Sequence, residues 1–291
     1  MRVATSTNII STRRDRPRVP MIEFIPFLAQ HGYSVLDLNL CEIMNPDSAL
    51  RTGKWRSYVD QLKQYRTDLN LTYNQAHAPY HKQLYSLSKE KKENLSFEIN
   101  RSLEIAGELE IPYIVLHAIS DAYGFSQKEH IEINMRWLEP FVEKASSYGT
   151  YILLENLFTR LGEPEAFTTN VQDLVALIDA FNSPYVGACY DFGHAHLTEY
   201  DHVENLKYLG KRLLALHVAD NHGKEDEHLL PFYGTVPWEV CMKALKRINY
   251  RGDFTYEVMF FSQYLPVELH PSFLRHSLDV ANHLVDLFHH F

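Results

Sequence analysis

Cysteine is scarce in this chain. Only Cys41, Cys189 and Cys241 occur among 291 residues, and no C-x-x-C spacing is present. An odd count at wide spacing argues against a disulfide framework and fits a reducing compartment. No apolar run reaches the roughly 18 residues that a membrane-spanning helix needs. The opening residues, MRVATSTN, place no charged stretch ahead of an apolar one, as a secretory leader would. Positive charge is also in short supply. Lys and Arg number 28 against 37 Asp and Glu, a formal net charge of −9. That balance argues against a broad nucleic-acid surface, which needs basic patches. Walker A, G-x-G-x-x-G, H-E-x-x-H and G-x-S-x-G are all missing. D-F-G occurs at 191–193, but without the glycine-rich loop and H-R-D of a kinase. These absences lead us to expect a cytoplasmic chain with no membrane partner and no nucleic-acid partner.

What is present begins with a core. Hydrophobic residues make up 45% and charged residues 22%, a balance that excludes extended disorder. The stretch 186–238 organises the rest. Two short apolar runs, VGACY and RLLALHV, each end in groups of the kind that bind metals. The first leads into Asp191 and His194. The second leads into His217, with Asp220, Asp226 and His228 close behind. Carboxylate and imidazole suit divalent zinc, manganese or magnesium. Short apolar runs bounded by polar residues read as strands buried on both faces, as in a parallel sheet.

The whole chain repeats this pattern. Strand signals fall at 3–7, 33–40, 71–80, 111–118, 150–157, 186–190, 212–218 and 254–260. Helical spacing fills 20–32, 49–70, 88–110, 128–149, 171–182, 202–211, 236–252 and 272–291. Strict alternation implies parallel strands with crossover helices. Eight repeats and this length predict one closed (β/α)8 barrel, a TIM barrel, as a single domain over 1–291. His77, His117, Glu155, Asp191, His217 and Glu257 then stand at or near the ends of strands three to eight. A barrel gathers those ends on one face. The four successive strands carrying Glu155, Asp191, His217 and Glu257 predict a metal site. His194 is either a fifth ligand or a group that orients one. His77, His117, Asp226 and His228 are assigned to metal or substrate contacts. Arg13, Arg14, Arg16 and Arg18 form a loop that either grips an anionic substrate group or is simply solvated. Tyr80, Phe192, Phe232, Tyr233 and Trp238 are candidates to wall a sugar-sized pocket, although Trp238 at a helix start also suits plain packing.

At these residues the chain resembles the sugar phosphate isomerase/epimerase group of the xylose-isomerase-like barrels. The resemblance covers nearly the whole chain and is densest in HAPY (77–80), VLHA (115–118), LLEN (153–156), YDFGH (190–194), HVADN (217–221), DEHLLP (226–231) and YRGDFTYEV (250–258). It implies one divalent metal, Mn2+, Mg2+, Zn2+ or Co2+, held by Glu155, Asp191, His217 and Glu257. It also implies that Glu155 and Glu257 act as acid and base on a sugar, sugar phosphate or related keto-sugar. His77, His117, His194, Asp226 and His228 would then contact the substrate. The same superfamily includes the endonuclease IV type, which uses three Zn2+. The further ligands of that type match His77, His117, His194, Asp226 and His228, so a phosphodiesterase acting on abasic DNA stays open. An inosose-dehydratase-like lyase shares the scaffold too. One departure stands out. Where the family commonly has G-x-G after H-L-L-P, this chain has Phe232-Tyr233-Gly234, and bulk at Phe232 is expected to reshape the pocket. A homo-oligomer is compatible with every one of these readings.

Overall fold

A computed structural model describes residues 1–10, 19–159, 162–198 and 201–291. The predicted arginine loop, with Arg13, Arg14, Arg16 and Arg18, lies outside the described residues. Eight strands form one sheet: β1 Val3–Ser6, β2 Val35–Asn39, β3 Thr72–His77, β4 Tyr113–Leu116, β5 Tyr151–Glu155, β6 Val186–Asp191, β7 Leu213–His217 and β8 Phe254–Tyr256. Every ladder is parallel, from β7 through β1 to β8. Backbone bonds bring β7 and β8 together. Val218 donates to the Thr255 carbonyl at 2.8 Å, and Glu257 donates to the Val218 carbonyl at 3.0 Å. The expected (β/α)8 barrel is therefore the observed fold.

The crossover helices are α1 Met21–Gln30, α2 Trp55–Asp68, α3 Lys89–Glu108, α4 Gln127–Ser147 and α5 Val171–Ala180. After β6 come α6 Phe192–His196 and α7 His202–Leu209, followed by α8 Trp238–Arg247 and the closing α9 His270–His290. Side chains that accept the otherwise orphaned first amides start several of them. Ser88 opens α3, Asn170 opens α5 and Asp201 opens α7. Ser126 and Glu129 form a reciprocal capping box at α4. The strand expected over 254–260 ends at Tyr256, so Glu257 lies just past it. Two helices also depart from the sequence reading. The helix expected from 49 starts at Trp55, because Ser48 caps a separate short turn at Ala49–Arg51 and Thr52 is extended behind it. The five-residue α6 was not anticipated. Asp191 nucleates it by accepting the His194 amide at 2.6 Å.

Side chains alternate between the two faces of a strand. Outward residues such as Leu36, Leu116, Leu154, Leu216 and Tyr256 pack under the helices. The inside of the ring is divided. Val115, Leu153, Cys189 and Ala215 fill one half as a separate apolar cluster. Asp37, Gln75 and Thr255 line the other half and are fully buried. The next inward position beyond these layers, toward the carboxyl ends, belongs to His77, His117, Glu155, Asp191, His217 and Glu257. Leu153 is the largest member of the apolar half. Leu153→Ala is expected to lower unfolding free energy by about 2–5 kcal/mol. Urea titration should show this as a lower midpoint at unchanged slope.

Candidate metal centre

The six inward groups meet at the carboxyl end of the barrel. Glu155 is the hub. Its Oε1 lies 2.8 Å from His217 Nδ1 and 3.6 Å from His194 Nδ1. Its Oε2 lies 2.8 Å from His117 Nε2 and 3.4 Å from His77 Nε2. Glu257 reaches the same ring atom, with Oε2 3.4 Å from His217 Nδ1. Asp191 is buried, and its Oδ2 has no hydrogen-bond partner among the described residues. A second cluster adjoins the first. His228 Nε2 is 3.1 Å from Asp226 Oδ2, and His194 Nε2 is 3.8 Å from the same oxygen.

Three groupings could each hold a cation: His77, Glu155 and His217; Glu155, Asp191, His217 and Glu257; and His194, Asp226 and His228. Within each, one ligand atom per residue lies within 4.8 Å of all the others. The residues fit divalent metal on chemical grounds. The donors are nitrogen and oxygen, all but the partly exposed Asp226 are buried, and none of these carboxylates pairs with a Lys or Arg among the described residues. Several imidazoles are oriented by carbonyls on the ring nitrogen turned away from the cluster. His77 Nδ1 meets Ala78 O at 2.8 Å, and His228 Nδ1 meets Glu257 O at 2.6 Å. A ring held in this way presents its other nitrogen to a metal. Metal identity does not follow from the donor set, since it suits several divalent ions.

The charges are tightly balanced. Burial works against an ionised Asp191 and pushes its carboxyl up to about 6, with His194 opposing and Glu155 reinforcing. Burial also works against an ionised Glu155, but His217, His117 and His77 outweigh it and hold the carboxyl well below the usual range. Burial disfavours charge on His228, but Asp226 beside it raises the imidazole to about 9.

Loops complete the surroundings. Tyr80 lies on His117 with ring centroids 4.0 Å apart, Phe158 on His194 at 4.9 Å, and Phe260 edge-on to His228 at 5.2 Å. Of the five aromatics expected to wall a pocket, only Tyr80 sits against the donors. Phe192 is buried under the barrel wall between Tyr190 and Trp238. Trp238 is a packing residue at the start of α8. Phe232 and Tyr233 are half exposed and turn to His283 and His276 of α9. Phe232 thus departs from the G-x-G pattern by taking a left-handed φ of 73° rather than by filling the pocket.

Asp220 is not among the converging donors. Its carboxylate gathers the loop instead, accepting from the amides of Asn221, Phe232 and Val236 and from Trp238 Nε1 at 2.8–3.0 Å. Gly234 runs so close beneath that a Cβ would stand 2.3 Å from Asp220 Oδ1. This knot carries Asp226 and His228 to the centre.

Residues 26–266 match the family model described as the xylose isomerase-like TIM barrel. The chain belongs to that family. The uncharacterized protein y4fM of Sinorhizobium fredii is 31% identical over 164 residues, 55% of this chain and 51% of that one. The chain therefore spans about half the length of that curated relative. Two solved structures share the fold along almost all of both chains. A D-tagatose 3-epimerase-like protein is 21% identical at a TM-score of 0.73, covering 98% of this chain and 100% of that one. A D-psicose 3-epimerase solved in the presence of D-fructose is 14% identical at 0.73, covering 98% and 99%.

Sequence reasoning missed Asp37, Phe158 and Phe260 in this xylose isomerase-like barrel. Asp37 had a signal, a lone carboxylate inside the apolar run V-L-D-L-N. The two phenylalanines had none, because only the loop paths bring them to the histidines.

The His228 value fixes a pH dependence. Raised from 6.5 to about 9 in the metal-free protein, this imidazole contributes stability that is complete below 6.5 and lost as pH climbs through 9. A cation at His194, Asp226 and His228 must displace that proton, so affinity there should rise with pH over the same interval. Thermal melts at pH 6, 7.5 and 9 are expected to show the chelated protein losing stability while the metal-saturated protein gains on it.

Proposed function

We propose that the chain is a divalent-metal-dependent isomerase or epimerase of a sugar, sugar phosphate or related keto-sugar, carried on one barrel domain. The observation that carries this reading is that Glu155 and Glu257 both reach one atom, His217 Nδ1, at 2.8 and 3.4 Å. The sugar epimerases among the solved neighbours add support at the level of fold. A proton on carbon beside a carbonyl is weakly acidic, so removing it needs a base at the carbon and stabilisation of the oxygen charge that develops. A bound cation, held by Glu155, Asp191, His217 and Glu257, would supply that stabilisation. Glu257 takes the proton on one face, and Glu155, kept ionised by its histidines, serves the other face. His194, held by the Asn156 carbonyl at 2.9 Å, directs its Nε2 toward the substrate oxygens. His77, His117, Asp226 and His228 complete the polar wall, and Tyr80, Phe158 and Phe260 exclude water.

A second reading rests on one specific observation. His194, Asp226 and His228 form a donor group apart from the four ligands above, and His77 and His117 reach Glu155 from the opposite side. Three donor groupings, two of them sharing Glu155 and His217, support a phosphodiesterase with three Zn2+, acting on abasic DNA. Metal content per purified chain separates the readings: one cation supports the isomerase, and three Zn2+ support the nuclease. An abasic-site duplex should stay intact above the buffer rate. Incision that disappears in His228→Ala would reverse the ranking.

The acid–base assignment has its own test, on a panel of free and phosphorylated ketoses in heavy water. Deuterium is expected at the reacting carbon of the product. Glu257→Gln should retain metal yet lower kcat by roughly 100-fold or more. Near-wild-type turnover in a metal-loaded variant would remove Glu257 from the chemistry. Loss of water from the substrate in place of proton return would mark a lyase.

A further inference from the structure

One buried ionisable group inside the barrel has no part in the reading above. Asp37 stands in the middle of β2 and is 0% exposed. Its Oδ2 lies 3.6 Å from His217 Nε2. Gln75 Nε2 donates to the same oxygen at a long 3.4 Å. Thr255 Oγ1 donates to Gln75 Oε1 at 3.3 Å, and Asn74 Nδ2 donates to Thr255 Oγ1 at 3.2 Å. A neutral chain therefore steadies the carboxylate from below. Neither Asp37 Oδ1 nor His217 Nε2 has another hydrogen-bond partner among the described residues.

A buried carboxylate is costly unless a positive or strongly polarised donor faces it. Gln75 is neutral and distant, so the only donor of that kind here is the His217 ring. His217 turns Nδ1 toward Glu155 and Glu257, at 2.8 and 3.4 Å, which leaves Nε2 alone to carry a hydrogen toward Asp37. A closure of about 0.5 Å makes that contact an ordinary hydrogen bond. We propose that Asp37 is a positioning residue that holds His217 as the Nε2–H tautomer and keeps the Nδ1 lone pair free for the cation shared with Glu155 and Glu257. Imidazole ligands generally gain basicity and orientation from such a carboxylate. This inference rests on reading His217 as a metal donor, which the test treats separately.

Chelated wild type, Asp37→Asn, Asp37→Ser and His217→Ala are titrated with Co2+, read by its visible absorption, and melted without metal. Removing Asp37 should weaken Co2+ binding about 10- to 100-fold. The melting temperature of chelated Asp37→Asn should stay level or rise, because a neutral isostere replaces a buried charge. Asp37→Ser serves if the asparagine variant does not fold, with the same loss of affinity expected. Unchanged Co2+ affinity combined with a lower metal-free melting temperature would mean that Asp37 only packs, and would overturn the proposal. If His217→Ala loses Co2+ while both Asp37 variants keep it, the positioning role alone fails. If His217→Ala binds Co2+ like wild type, the donor reading fails and takes the proposal with it.

Discussion

Four carboxylates, Glu155, Asp191, Asp226 and Glu257, converge at the carboxyl end of the barrel with no lysine or arginine paired to them among the described residues. Like charges at such range repel strongly once water is excluded. Histidines drawn toward the cationic form by the very groups they offset hold this charge in balance. A divalent cation is the other kind of charge that such donors suit. The barrel is the frame that makes this concentration of charge tolerable. Its backbone is satisfied strand to strand around the ring, so the donors cannot retreat to solvent without breaking ladders.

The same frame explains how much of the protein could be read in advance. Eight apolar runs alternating with eight helical patterns identify the fold, because short runs of four to eight residues and longer stretches of helical spacing differ in length over a whole chain. The strand-end residues followed from it. Glu155, Asp191, His217 and Glu257 each close an apolar run, and parallel strands share one carboxyl end. What stayed hidden depended on paths through loops. No local signal told that Asp220 would gather a loop while Asp226, six residues on, would point at the donors. Phe192 and Phe158 look equally available in sequence, yet one is buried behind the strands and the other lies on His194. The difference comes from α6, a helix too short to announce itself by periodicity.

The divided interior separates two tasks that barrels usually leave to different layers. On the side of β4 to β7, Val115, Leu153, Cys189 and Ala215 form an apolar support under the converging donor groups. Toward β2, β3 and β8, the polar chain of Asp37, Gln75 and Thr255 reaches down from the centre toward the amino ends of the strands. One half contributes hydrophobic stability, and the other adjusts the hydrogen bonding of a donor. The arrangement places the adjustable half away from β5 and β6, which carry Glu155 and Asp191.

The knot around Asp220 makes the third donor group modular. Asp226 and His228 enter the cavity on a loop whose ends are tied to a single carboxylate and whose tightest point is a glycine. A chain can exchange the middle of such a loop while its anchors and the barrel stay in place. His77, Glu155, Asp191 and His217 are set by strands and cannot move without the barrel, whereas Asp226 and His228 can be replaced by editing one tethered segment.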